Sequence, residues 1–249
     1  MIDFDGIAMI WLRDLIRFFR ERSQLLGSIS RPVLWLLVLG TGLRPTFRAA
    51  GGLSYTQFIF PGIIAMTLIF TSIQSAISII WDREFGFLKE VLVAPVSRVS
   101  VAVGKALSGA TLSMIQGAIT LLFAPLVGVK LSLAAIAALV PVMFVLSFAL
   151  TGIGILIAAR MTSFEGFGTI SNFLVMPMYF LSGAIFPPTG LPAWLTALIR
   201  INPLTYGVDA LRTALLHKHY FPLSFDLGFL VGFAALITGI AVVMFTRPE

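Results

Sequence analysis

Trp81-Asp82-Arg83-Glu84-Phe85-Gly86-Phe87-Leu88-Lys89-Glu90-Val91-Leu92-Val93-Ala94-Pro95-Val96-Ser97-Arg98 carries six charged residues in the interior of a chain built mostly for lipid. It lies between two long apolar stretches, so its charge marks where the chain meets water or a wet partner. Wound as a helix at roughly 100° per residue, Phe85, Phe87, Leu88, Val91 and Leu92 share one arc, and Asp82, Arg83, Lys89 and Glu90 gather opposite. The pattern predicts a short amphipathic helix over residues 82–94, seated at a membrane surface or in a partner's groove. Glu84 falls inside the apolar arc, where a carboxylate needs a partner to offset its desolvation. Pro95 cannot extend the hydrogen-bond ladder, which stops the helix by Ala94.

Around this stretch the composition belongs to lipid. The 249 residues are 58% hydrophobic and 11% charged, against about 25% charged in soluble domains. No stretch of the chain is polar enough to form a separate soluble domain, and one all-α integral membrane domain over residues 1–249 is expected. Cysteine is absent, which excludes a disulfide framework or thiolate metal site, and the two histidines, His217 and His219, are too few for a metal cage without carboxylate help. The net charge of +6 bears on orientation and lipid, and nucleic acid is not an expected partner.

Residues 6–27 read as an amphipathic helix lying in the headgroup plane, with Ile7, Trp11, Leu15, Phe18 and Leu25 on one half and Arg13, Arg17, Arg20 and Gln24 on the other. On its wet side Asp14 is spaced to pair with Arg17. Spans are expected at 28–43, 58–81, 99–127, 131–159, 168–186 and 227–245, the first acting as an uncleaved anchor. Six spans put both termini on one side. That side holds eleven of the 17 Lys and Arg, so the positive-inside rule makes the termini and the Trp81 to Arg98 segment cytoplasmic. Between spans five and six, residues 187–226 hold two apolar half-helices, Leu191 to Arg200 and Pro203 to Leu216, expected to be re-entrant or interfacial on the outer side.

Towards the middle of the spans the polar residues are uncharged and fall in stripes. Thr67, Thr71, Gln74, Ser75 and Ser78 line one face of span two, and Ser113, Gln116 and Thr120 one face of span three. Such stripes bond neighbouring helices or line a path, and Tyr179 is a further candidate contact on that path. Gly104, Ser108, Gly109, Ser113, Gly228 and Gly232 offer close-packing surfaces. No span centre carries an ionisable residue, which speaks against an ion-coupled transporter. No Walker A pattern is present, and no nucleophile–base pair can be assembled at one depth, so the chain is not expected to be an enzyme.

The order Arg83-Glu84-Phe85-Gly86-Phe87-Leu88-Lys89-Glu90, then Leu92-Val93-Ala94-Pro95-Val96-Ser97-Arg98, resembles the signature of type 2 ABC-transporter permeases, the family of daunorubicin-resistance, Nod-factor and polysaccharide export permeases. Phe60-Pro61-Gly62 opening the second span, Phe180-Leu181-Ser182-Gly183-Ala184-Ile185-Phe186-Pro187 and Asn202-Pro203-Leu204-Thr205-Tyr206, with Asp209 and Arg212 beyond, are similar to other parts of the pattern. The resemblance implies that 82–94 is a coupling helix. Asp82, Arg83, Glu84, Phe85, Phe87, Leu88, Lys89 and Glu90 would then face a separate ATP-binding subunit, which the N-terminal helix also braces. It implies a pair of six-span subunits with two copies of that ATP-binding subunit, and ATP with magnesium bound there rather than by this chain. Membrane lipid is the other expected partner, and the bacterial or archaeal inner membrane the location. A lightly polar, uncharged path suits an amphipathic drug, a glycolipid or a lipid-linked saccharide moving outward. The alternatives are a non-transporting membrane scaffold or assembly factor, and a secondary transporter.

Overall fold

A computed structural model describes residues 3–20, 22–42, 53–85 and 97–246. Every regular element among them is helical. In chain order these are α1 (Phe4–Arg20), α2 (Arg22–Gly42), α3 (Tyr55–Ser75), α4 (Ile77–Glu84), α5 (Arg98–Leu121), a 3-10 turn (Ala124–Val127), α6 (Leu133–Arg160), α7 (Phe164–Phe180), α8 (Ala193–Ile201), α9 (Pro203–Leu216) and α10 (Leu223–Thr246).

Helix starts are set by small polar caps that satisfy the first-turn N–H groups. The hydroxyls of Ser54, Ser97, Ser132 and Ser163 accept from the backbone N–H three residues on, and the Asn202 side chain accepts from the Leu204 N–H. At Ser54 the Gln57 side chain returns the bond to the Ser54 N–H, completing a capping box. These caps move boundaries away from those read off hydropathy. Helix α7 starts at its Ser163 cap and ends at Phe180, so residues 181–186 lie beyond it in a turn whose Gly183 has φ +72°. Helix α5 stops at Leu121, and Pro125 near the start of the 3-10 turn has no N–H with which to continue it. The first helix ends at Arg20, and residues from Arg22 belong to α2.

Helix α3 is the hub. Phe60, Ile63, Ile64, Leu68, Ile69 and Ile73 are fully buried, and α2, α5, α6, α7 and α9 all pack against it. Two glycines make close approach possible. A Cβ on Gly154 would sit 2.7 Å from the Ile73 carbonyl oxygen, and one on Gly109 would sit 2.3 Å from Ser75 Oγ and 2.5 Å from a Thr151 methyl. Small residues are how helices without a hydrophobic driving force reach contact in lipid. Gly228 and Gly232 have nothing within 4 Å of a notional Cβ, so among the described residues no neighbour packs on them.

Among the described residues, three helices are long and apolar enough to cross a membrane: Tyr55–Glu84, which counts α3 and α4 across their one-residue break at Ala76, Leu133–Arg160 and Leu223–Met244. The first is 67% buried within the chain and the last 17%, which sets α3 inside and α10 at the periphery. Beyond α7, the short helices α8 and α9 lie between residues 181–192 and a loop over 217–222. His217, in the left-handed region at φ 52°, ends α9.

Candidate functional site

Helix α4 carries the chain from the hub to the charged segment, and its last turn is where charge concentrates. Asp82, Arg83 and Glu84 close α4 and Phe85 caps it, so they continue an existing helix instead of opening a new one at residue 82. The rest of the predicted amphipathic helix, with Phe87, Leu88, Lys89 and Glu90, lies outside the described residues.

The side chains on either side of this turn differ sharply. Asp82 is buried, although the helical wheel groups it with the wet residues. Its Oδ2 accepts from Arg13 Nη2 at 2.6 Å and lies 2.8 Å from Lys105 Nζ. Arg83 donates to the backbone carbonyls of Met161 at 2.9 Å and Ala159 at 3.4 Å. Those are end groups of α6, whose dipole favours a cation there. Trp81 stacks on Phe85, with centroids 5.1 Å apart, lies 4.9 Å from the Phe164 ring and has the Arg17 guanidinium 5.0 Å above it. Glu84 and Phe85 are exposed.

Lys105 is the residue that hydropathy hides. It sits in the second turn of α5 and is only 4% exposed. Its ammonium pairs with Asp82 and with Asp14 of α1, and donates to Ser78 Oγ at 2.8 Å. Asp14 therefore turns inward to Lys105 and Arg13, correcting the surface pairing with Arg17 that helix spacing suggests. The cause is a second contact face on α1: Gly6, Ile10, Asp14 and Phe18 are buried, and α1 packs along α5. Burial alone would push the Asp14 carboxyl up, but the charges of Lys105 and Arg13 outweigh it and hold it below the usual carboxylate range. Burial likewise opposes the Arg13 charge, but its contacts with Asp82 and Asp14 raise it further. With the Asp14 value depressed, its stabilisation is complete above the ordinary carboxylate range, near pH 4, and is lost only as pH falls through the lower folded value.

The uncharged stripes meet each other. Thr67 faces Thr120 at 3.4 Å, Thr71 bonds Gln116, and the Ser113 hydroxyl meets Ser72 at 2.8 Å, all between α3 and α5. Ser75 bonds back to the Ser72 carbonyl, Ser78 serves Lys105, and Gln74 is exposed. Tyr179 is 1% exposed and lies within the core. In this conformation the stripes join helices.

At the other end of the bundle Asp209 and Arg212 form a second buried polar group. Both Asp209 oxygens accept from the Tyr220 N–H, and one also from the Phe221 N–H. Arg212 donates to the Gly183 carbonyl at 2.8 Å and lies 4.6 Å over the Phe58 ring. It thereby ties α9 to the start of α3 and to the turn after α7.

A helical bundle with spanning-length apolar helices, a buried ion network at one end and no metal-binding cluster among its described residues has the features of a membrane permease. Residues 6–216 match the model of the ABC-2 type transporter family, and the chain belongs to that family. Among its relatives, ycf38 of Cyanophora paradoxa, named as a transport permease, is 31% identical over 212 residues, covering 84% of this chain and 73% of that protein. Nodulation protein J of Rhizobium leguminosarum bv. viciae is 27% identical, covering 83% of this chain and 81% of its own. The inner membrane transport permease YadH of Escherichia coli K12 is 27% identical, covering 92% and 90%.

Proposed function

We propose that this chain is the membrane-spanning subunit of an ATP-driven exporter. The long helices α2, α3 with α4, α5, α6, α7 and α10 serve as six spans, with both termini cytoplasmic and the bacterial or archaeal inner membrane as the location. Two copies pair with two copies of an ABC ATP-binding subunit that holds the ATP and magnesium. Closure of that subunit pushes the segment 82–94, and the push biases a two-state arrangement of the spans. The cargo is amphipathic or lipid-like, a drug, glycolipid or lipid-linked saccharide, and leaves on the outer side past α8 and α9.

The observation that carries this reading is the anchoring of the last turn of α4. A segment that takes a push must be stiffly joined to what it moves, and Asp82 and Arg83 join it to α1, α5 and α6 at once. Glu84 and Phe85 stay exposed in the single chain, as groups that meet a partner would. The test is co-purification in detergent with ATP-binding subunits from the same genome, comparing wild type with a Glu84→Arg, Gly86→Pro double variant. A two-to-two complex that the double variant fails to form supports the reading. A wild-type chain that purifies folded and alone contradicts it.

A further inference from the structure

Helix α1 is held more firmly than a surface anchor requires. Arg13 and Asp14 of α1, Asp82 of α4 and Lys105 of α5 form a closed, neutral ring. Arg13 Nη2 bridges Asp14 at 3.0 Å and Asp82 at 2.6 Å, and Lys105 Nζ bridges the same two acids at 3.0 and 2.8 Å. Ser108 donates to Asp14 at 3.1 Å. Asp14, Asp82 and Lys105 are all below one-tenth exposed. Beside the ring, a Cβ on Gly104 would lie 3.1 Å from Ile10 Cβ, so the glycine lets the two backbones close. The contact extends from the Asp3 N–H on Ser100 Oγ, at 2.9 Å, to the Trp11 indole on Thr111 Oγ1, at 3.0 Å.

The ring resists partial opening, because withdrawing Lys105 or either acid strands a charge in an apolar setting, and Arg13 alone, its side chain 32% exposed, reaches water. It holds together or comes apart as a whole. We infer that α1 and α5 move as one rigid body, with Asp14 and Lys105 as positioning residues that bind the last turn of α4, through Asp82, to that body. Taken with the proposed coupling role, on which this inference rests, α1 is a lever driven from the charged segment. Its outer stripe of Phe4, Leu12, Ile16 and Phe19, exposed in the single chain, travels with it.

The chain has no cysteine, so an Asp3→Cys, Ser100→Cys pair gives a clean disulfide tether between α1 and α5. In the full complex the oxidised tether is expected to keep ATP hydrolysis within about twofold of the reduced form. A loss of about tenfold, restored by reductant, would show that α1 must leave α5 and would overturn the inference. The second arm places the tether in an Asp14→Asn, Lys105→Met background, which removes one acid and one base together. Tether formation there is expected to fall by about fivefold or more while the variant still assembles with the ATP-binding subunit and hydrolyses ATP without coupled transport. Unchanged tether formation would mean that the ring does not hold α1 and would sink the idea. Tether formation is read in membranes from this chain alone, so a failure to find any ATP-binding partner would count against the exporter reading and leave the ring to be judged by itself.

Discussion

Both ends of the bundle bury charge, but they do so differently. At the α4 end two acids and two bases close on one another across three helices, and each acid has two cationic partners. At the α9 end the charges serve the backbone: Asp209 holds the loop at Tyr220 and Phe221, and Arg212 holds the Gly183 carbonyl. Near them Asp226, in the first turn of α10, is fully buried with no partner for either oxygen, and Arg212 Nε is also unpartnered. The first arrangement fixes helices to one another. The second fixes turns to a helix and leaves an acid over, so it is the less completely satisfied of the two.

That contrast can be broken most severely at Lys105. Lys105→Met removes the ammonium that faces two acids, leaving two carboxylates to share Arg13, and should cost about 3–5 kcal/mol of stability. Thermal unfolding in detergent measures it, and a loss below about 1 kcal/mol would mean that the ring behaves like a surface pair. Arg212→Met comes next. It gives up one charged hydrogen bond to a carbonyl, a 3.8 Å ion pair with Asp209 and the stacking on Phe58, for about 2–3 kcal/mol, and the same unfolding assay with limited proteolysis between residues 181 and 192 should show the turn after α7 released. The smallest effect is expected at Asp226→Asn. No hydrogen bond is lost there and an uncompensated buried acid is removed, so stability should hold or rise by up to about 1 kcal/mol. A clear loss would mean that Asp226 is as well satisfied as the acids at the other end.

Much of this was legible in the sequence, though unevenly. The helical membrane class follows from hydropathy, and the family from the residues around Arg83 to Arg98 and the outer motifs. Helix ends were harder, because they depend on single capping residues such as Ser163 and Asn202, whose effect is local hydrogen bonding and not hydrophobicity. The ion ring was missed because its members are 91 residues apart between Asp14 and Lys105, and each alone reads as an ordinary edge charge. One signal was present: Asp14 follows Ile10 and precedes Phe18 at helical spacing, so it lies on a face whose neighbours are apolar. A charge in such a place implies a partner charge on whatever packs there, and Lys105, beside Gly104 and within an apolar helix, was the available base. The stripes on α3 and α5 were legible as residues but not as partners, since periodicity gives a face and only packing says what it meets.

The central claim is that force from an ATP-binding subunit enters through the exposed side of the last turn of α4 and the segment after it. The most direct test is ATP hydrolysis by the reconstituted complex in lipid nanodiscs, wild type against Glu84→Ala. If Glu84 meets the partner as proposed, losing its carboxylate should lower hydrolysis by at least about tenfold while the complex still assembles. Unchanged hydrolysis in an intact complex would contradict the claim and place the coupling contact elsewhere.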